Sequence, residues 1–238
     1  MYPGLSRILA CILLFFLSVS QAQAAAAGAD APGAASTAAP GPLDPLGPLG
    51  VDEEKAGFTE RLIMGARAET RRLVIYKSAY YSGGYPPKSE GVCTDLVWRA
   101  FRDAGIDLKG LIDGDIRDNP KAYPRVTRVD RNIDFRRVPN QRIFFSRHGL
   151  TLTRRFIPSD PDNRAQWQPG DIVTFRHPDH IGILSDRTNP DGVPLLLHND
   201  GPIASEDDSF MFWYERGVTG HYRYVPPEGA VEQGTVSP

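Results

Sequence analysis

Cys93 heads the run V-C-T-D-L-V-W-R-A-F-R, where a glycine turn leads into a helical pattern. A thiol in the first turn of a helix meets free backbone N–H groups and the positive end of the helix dipole, and both favour a thiolate. A thiol nucleophile needs a base within hydrogen-bond reach and a third group to hold the base in one tautomer. The chain has five histidines, and two of them suit these roles. His180 opens one strand pattern and His198 closes the next, so a hairpin can bring the rings together. Cys93 as nucleophile, His180 as base and His198 as the group that fixes the His180 ring would meet that need. Gly182 shares a face with His180 and is expected to leave open space beside the imidazole. Two competing readings stand beside this one. Cys93 also continues the apolar stripe of Val97, Ala100 and Ala104, as an inert core residue would. His177, His180 and His198 supply enough ligands for zinc. Positions 177 and 180 point to opposite faces when extended, however, and no H-E-x-x-H spacing occurs, so neither a metal nor a cofactor is expected.

The elements that must position these groups follow from periodicity. Residues 52 to 72 read as a helix with Phe58, Leu62, Ile63 and Ala66 on one face. Leu73 to Tyr76 is a short extended run, and Y-Y-S-G-G-Y-P-P from Tyr80 is a loop by composition. The cysteine helix carries Leu96, Val97, Ala100, Phe101 and Ala104 and stops at Gly105. Asp95 and Arg99, four apart, are expected to pair on its surface. A helix is expected from Leu108 to about Asn119, and another between Asn132 and Phe145 after Pro139. The pattern then turns to strands at Ile172–Phe175, His180–Ser185, Leu195–His198 and Gly220–Val225. Helices first and an antiparallel meander second predict an α+β fold.

The ends of the chain read differently. Arg7, the apolar stretch Ile8 to Val19 and Ala22-Gln23-Ala24 form an export leader, residues 1–24, that takes Cys11 with it and leaves no transmembrane span. Residues 25–51 are an Ala/Pro/Gly-rich spacer, 52–226 a single domain and 227–238 a tail. The expected location is therefore the periplasm or the exterior. Without Arg7, 26 basic residues stand against 29 acidic ones, which argues against nucleic-acid binding. The arginines at 125, 128, 131, 136, 137, 142 and 147 form either a solvated face partnered by Asp130 and Asp134 or a patch toward an anionic substrate. Oligomeric state leaves no mark on the sequence.

The runs G-V-C-T-D-L-V-W-R-A-F-R (91–102), W-Q-P-G-D-I-V-T-F (167–175), H-I-G-I-L-S-D (180–186), L-L-L-H-N (195–199) and G-H-Y-R-Y (220–224), with N-I-D-F-R-R-V-P-N (132–140), resemble a bacterial family described as domain of unknown function 1287. That family in turn resembles the NlpC-type papain-like cysteine peptidases of bacterial cell walls. The resemblance implies a papain-like fold with N-terminal helices packed on an antiparallel sheet. It matches Cys93 to the nucleophile, His180 to the base and His198 to the orienting residue, with Asn199 as the rival for that third role. Asp95 stands close enough to the thiol to be a supporting group, since V-C-T-D replaces the usual D-C-S-G. Tyr76 or Tyr80 matches the tyrosine that assists the oxyanion, and Arg136 and Arg137 lie in a matching motif as candidate substrate contacts. The implied function is an exported hydrolase of a peptide or amide bond, with peptidoglycan or a wall-derived peptide as substrate. The alternatives are an acyltransferase or thioesterase using the same triad, and a non-catalytic wall-binding module on the same fold.

Overall fold

Helix α1 (Phe58–Arg71) forms where the apolar stripe runs, and Leu62, Ile63 and Ala66 are buried along it. The computed structural model describes residues 57–227, so the leader, the spacer, positions 52 to 56 and the tail beyond 227 lie outside the described residues. Leu73, at φ 52°, turns the chain out of the helix. Strand β1 (Ile75–Tyr76) then pairs in parallel with β2 (Glu90–Gly91), Tyr76 opposite Gly91. That pairing delivers the chain to α2 (Cys93–Asp103).

Helix α2 is buried from Cys93 through Phe101, and it crosses α1 where Gly65 lies against it. A Cβ on Gly65 would sit 2.8 Å from Asp103 Cβ and 3.0 Å from the Ala100 Cα, so the absence of a side chain sets the helix spacing. Helix α3 (Leu108–Asp118) starts at Asp107, whose carboxylate accepts the Gly110 N–H at 3.0 Å. A short 3-10 turn at Asp134–Arg136 leads into α4 (Val138–His148). Next come β3 (Leu150–Thr151), α5 (Pro161–Arg164), β4 (Ile172–Phe175), β5 (His180–Thr188), β6 (Pro194–His198), β7 (Ser205–Asp207), α6 (Phe210–Arg216) and β8 (Val218–Arg223).

The six-stranded sheet has the order β3-β8-β4-β5-β6-β7 and is antiparallel throughout. Strands β4 to β7 form a meander, and β8 returns along the free side of β4. Alternation divides the strand residues between two cores. Ile172, Ile181, Ile183 and Leu197 meet Leu62, Leu96, Val97 and Ala100 of the helices. Val173, Phe175, Leu184 and Leu196 meet Phe156, Trp167, Phe210 and Trp213 on the other face. Cover on both faces explains why β4 is buried at every position, Thr174 included, rather than at alternate ones.

The mixed α and β architecture agrees with the sequence expectation in class, and four of the expected strands form. Several local expectations are corrected. The described part of the first helix starts at Phe58, the helix of the 132–145 region spans Val138–His148, and the last strand starts at Val218. Asp95 and Arg99 do not pair on the surface. Both are buried, Arg99 on Glu69 at 2.7 Å and Asp95 on Arg136. The space beside Gly182 is filled: a Cβ there would lie 2.8 Å from Leu196 Cδ1.

Candidate active site

Cys93 is the first residue of α2 and is 7% exposed. Burial pushes its thiol up to about 12, while backbone groups of Ile181, Thr94 and Cys93 itself pull it down and Asp95 adds to the rise. The thiol therefore lies against the start of β5, one residue from His180. Tyr76 stands beside it: burial, then the Cys93 thiol and Asp200, raise the Tyr76 hydroxyl.

The start of α2 is held by Asp95. Its carboxylate accepts the Val92 N–H at 2.8 Å and the Trp98 Nε1–H at 2.9 Å, and takes both arms of the Arg136 guanidinium at 2.7 Å each. Arg136 also donates to the Ala79 carbonyl. Thr94 Oγ1 donates to the Arg136 carbonyl and Gln141 Nε2 to the Thr94 carbonyl. Asp95 is thus a support of the cysteine helix, and Arg136, paired and buried, is a brace rather than a substrate contact.

His180 and His198 do meet. His180 Nε2 is 2.9 Å from His198 Nδ1. The β5–β6 register sets Ile183 opposite Leu197, which makes 180 and 198 diagonal neighbours on one face. His180 stacks on Trp213 at 4.1 Å between centroids and 21° between planes. Burial and then the nearby His198 hold its imidazole well below the ordinary histidine value, with Asp207 opposing them. His198 Nε2 lies 3.0 Å from Ser209 Oγ and 3.2 Å from Asp207 Oδ1. Burial raises the Asp207 carboxyl, but bonds from His198, Ser209 and Ser205 more than offset this and hold it below the usual carboxylate range.

Other candidates separate. Asn199, on the opposite face from His198, donates to the Val74 and Gly91 carbonyls at 3.3 Å each and braces the β1–β2 region. Tyr80 donates to Asp130 at 3.2 Å and accepts from Asn132 Nδ2 at 2.7 Å, which commits it elsewhere. Arg137 is half-exposed, 3.8 Å from Asp134. The remaining arginines do not all share one face with Asp130 and Asp134: Arg125 pairs with Asp179, Arg131 with Asp113 and Arg147 with Asp115. Among the described residues, His177, His180 and His198 form no cluster of ligands that could hold a metal ion.

The site is not a closed triad. Among the described residues no side-chain hydrogen bond joins Cys93 to His180; the thiol packs with Ile181 on the helical face, while His180 packs with Phe175 and Trp213 on the other. A cavity of about 580 Å³ lined by Tyr85, Lys88, Trp98, Arg102 and Lys109 contains none of the candidate catalytic residues. The residues that sequence reasoning missed are Asp207, Ser209 and Trp213. Asp207 and Ser209 sit in S-E-D-D-S-F, whose polar composition reads as a loop until β7 pairs with β6.

Comparisons with known proteins bear on the whole of this region. A family model described as "Domain of unknown function (DUF1287)" matches residues 63–224. The "Uncharacterized protein YijF" of Escherichia coli (strain K12) is 39% identical over 190 residues, which cover 76% of this chain and 88% of that relative. No solved structure matches the chain.

Proposed function

This chain belongs to the family of the domain of unknown function 1287, and from that premise we propose that it is an exported thiol hydrolase. Its substrate is a peptide or amide bond in peptidoglycan or a wall-derived peptide, and its fold is papain-like, of the NlpC type. The observation that carries the reading is the 2.9 Å bond between His180 Nε2 and His198 Nδ1. It occupies the far nitrogen of the base and leaves Nδ1 without a partner among the described residues, at the strand start against which the Cys93 helix abuts.

The resting groups are neutral, since the thiol is raised and the imidazole lowered. The chemistry is accordingly general-base attack rather than a standing ion pair. Cys93 Sγ bonds to the carbonyl carbon as its proton passes to His180 Nδ1. The carbonyl π electrons move to oxygen, where backbone N–H groups at the start of α2 and the Tyr76 hydroxyl stabilise the charge. Collapse breaks the C–N bond, and the amine leaves with the proton from His180. Water, deprotonated by His180, then bonds to the thioester carbon, the C–S bond breaks to release the acid, and His180 returns the proton to Sγ. Sγ and the His180 ring lie on opposite faces of the start of β5, so the transfer requires this strand start to turn His180 toward the helical face in the substrate complex. An acyltransferase or thioesterase uses the same steps with a different acceptor or bond.

One observation favours a second reading. A thiol pushed up to about 12, with no imidazole bonded to it, also suits a catalytically silent wall-binding module. Incubating purified sacculi with the protein and with Cys93→Ala, and identifying released fragments by mass spectrometry, separates the two. Fragments that depend on Cys93 establish the hydrolase and their masses identify the bond. Binding by both proteins without release sinks the hydrolase reading.

A further inference from the structure

We infer that Asp207 is a positioning residue, which sets the tautomer of His180 through His198 and so keeps His180 Nδ1 basic. The inference rests on the thiol-hydrolase reading for its consequence in catalysis, but its geometry stands by itself. Asp207 Oδ1 is 3.2 Å from His198 Nε2. An ionised carboxylate only accepts hydrogen bonds, so His198 Nε2 must carry a proton to reach it. In a neutral His198 the lone pair is then on Nδ1, where it faces His180 Nε2 at 2.9 Å. That contact requires the His180 proton on Nε2, and Nδ1 of His180 is left as the free base. One carboxylate therefore decides, two rings away, which nitrogen can accept a proton from the thiol.

The surroundings reinforce that direction. The Ser209 N–H donates to Asp207 Oδ1 at 3.1 Å, and Ser209 Oγ lies 3.0 Å from His198 Nε2. The hydroxyl is a group that both donates and accepts, so it imposes no tautomer of its own. Among the described residues Asp200 is the other carboxylate near His198, and its Oδ1 is 3.8 Å from His198 Nδ1, beyond hydrogen-bond length. Without Asp207, Ser209 is free to donate to His198 Nε2. That arrangement puts the His198 proton on Nδ1, turns His180 Nε2 into the acceptor and protonates Nδ1 of His180, which removes the base.

The test uses the full chain labelled with 15N-histidine, and Asp207→Ala and Asp207→Glu variants. Nitrogen shifts, assigned with a His180→Asn control, report the tautomer of each ring. The wild type is expected to hold its proton on His180 Nε2. Asp207→Ala is expected to populate the Nδ1–H form and to lower kcat for fragment release by about tenfold or more with KM little changed. Asp207→Glu is expected to recover part of both. Unchanged amide spectra away from the site show that the variants fold, and Asp207 is exposed enough, 45% for its side chain, to tolerate truncation. A wild-type His180 protonated on Nδ1, or an Asp207→Ala protein with the wild-type tautomer, overturns the inference. If the tautomers follow expectation and no protein releases wall fragments, the hydrolase reading fails and the positioning role survives.

Discussion

At the scale of single residues, the fate of Cys93 turns on burial against electrostatics. The helix start alone favours a thiolate, but removal from water opposes it and wins, because a charge loses more on desolvation than a few backbone N–H groups return. The resting thiol, with an ordinary value of 9.0 pushed to about 12, has a thiolate fraction near pH 8 lower by about a thousandfold. Iodoacetamide is therefore expected to label Cys93 in the folded protein far more slowly than in urea, as read by intact mass. Labelling at the same rate in both states would remove the neutral-thiol account. Asp95 is fully buried too, and there Arg136, Val92 and Trp98 supply its bonds.

At the scale of elements, strand β7 serves both faces of the sheet edge. Glu206 points toward α1, where Arg67 Nε donates to it at 2.8 Å, and Asp207 points toward the histidines. The position of the thiol depends in turn on how closely α1 and α2 approach. Gly65 permits that approach, and its missing Cβ would meet the Ala100 backbone as well as Asp103. Gly65→Val is expected to destabilise the domain by about 1–3 kcal/mol through overpacking, seen as a lower midpoint in urea. A midpoint equal to that of the wild type would show that the helix pair has slack the packing does not suggest.

At the scale of the whole molecule, the buried site groups set a window of pH for stability. His180 holds its proton more weakly in the folded state, through burial and then His198, so below its ordinary value of 6.5 the unfolded chain takes up the extra proton and stability falls with pH. Cys93 acts on the other side. Its unfolded thiol ionises first, so stability falls as pH rises from 9.0 toward about 12. Asp207 is lowered in the folded state, and its contribution is lost only in stronger acid, as pH falls below 3.8. A thermal midpoint highest between roughly pH 6.5 and 9 is expected, with each linked proton changing stability by about 1.4 kcal/mol per pH unit inside its window. Cys93→Ala should flatten the start of the alkaline limb, from 9.0 to about 10 where the buried tyrosines Tyr123, Tyr222 and Tyr224 begin to add their own loss, and His180→Asn the limb just below 6.5. If both limbs persist in the double variant, other groups control them.

The sequence by itself determined what repeats along the chain. Apolar periodicity named α1, α2 and the strands β4, β5, β6 and β8, and alternation allowed only one of His198 and Asn199 on the His180 face, a choice that the β5–β6 register made for His198. These features depend on neighbours a few residues apart, which local geometry fixes. Only the tertiary structure decided the partners that come from far along the chain. Arg99 found Glu69 and left Asp95 to Arg136, Asp207 arrived beside His198 when β7 paired with β6, and Trp213 covered His180 from α6. Such contacts join elements whose approach depends on packing, and no spacing in the sequence encodes a distance across a core.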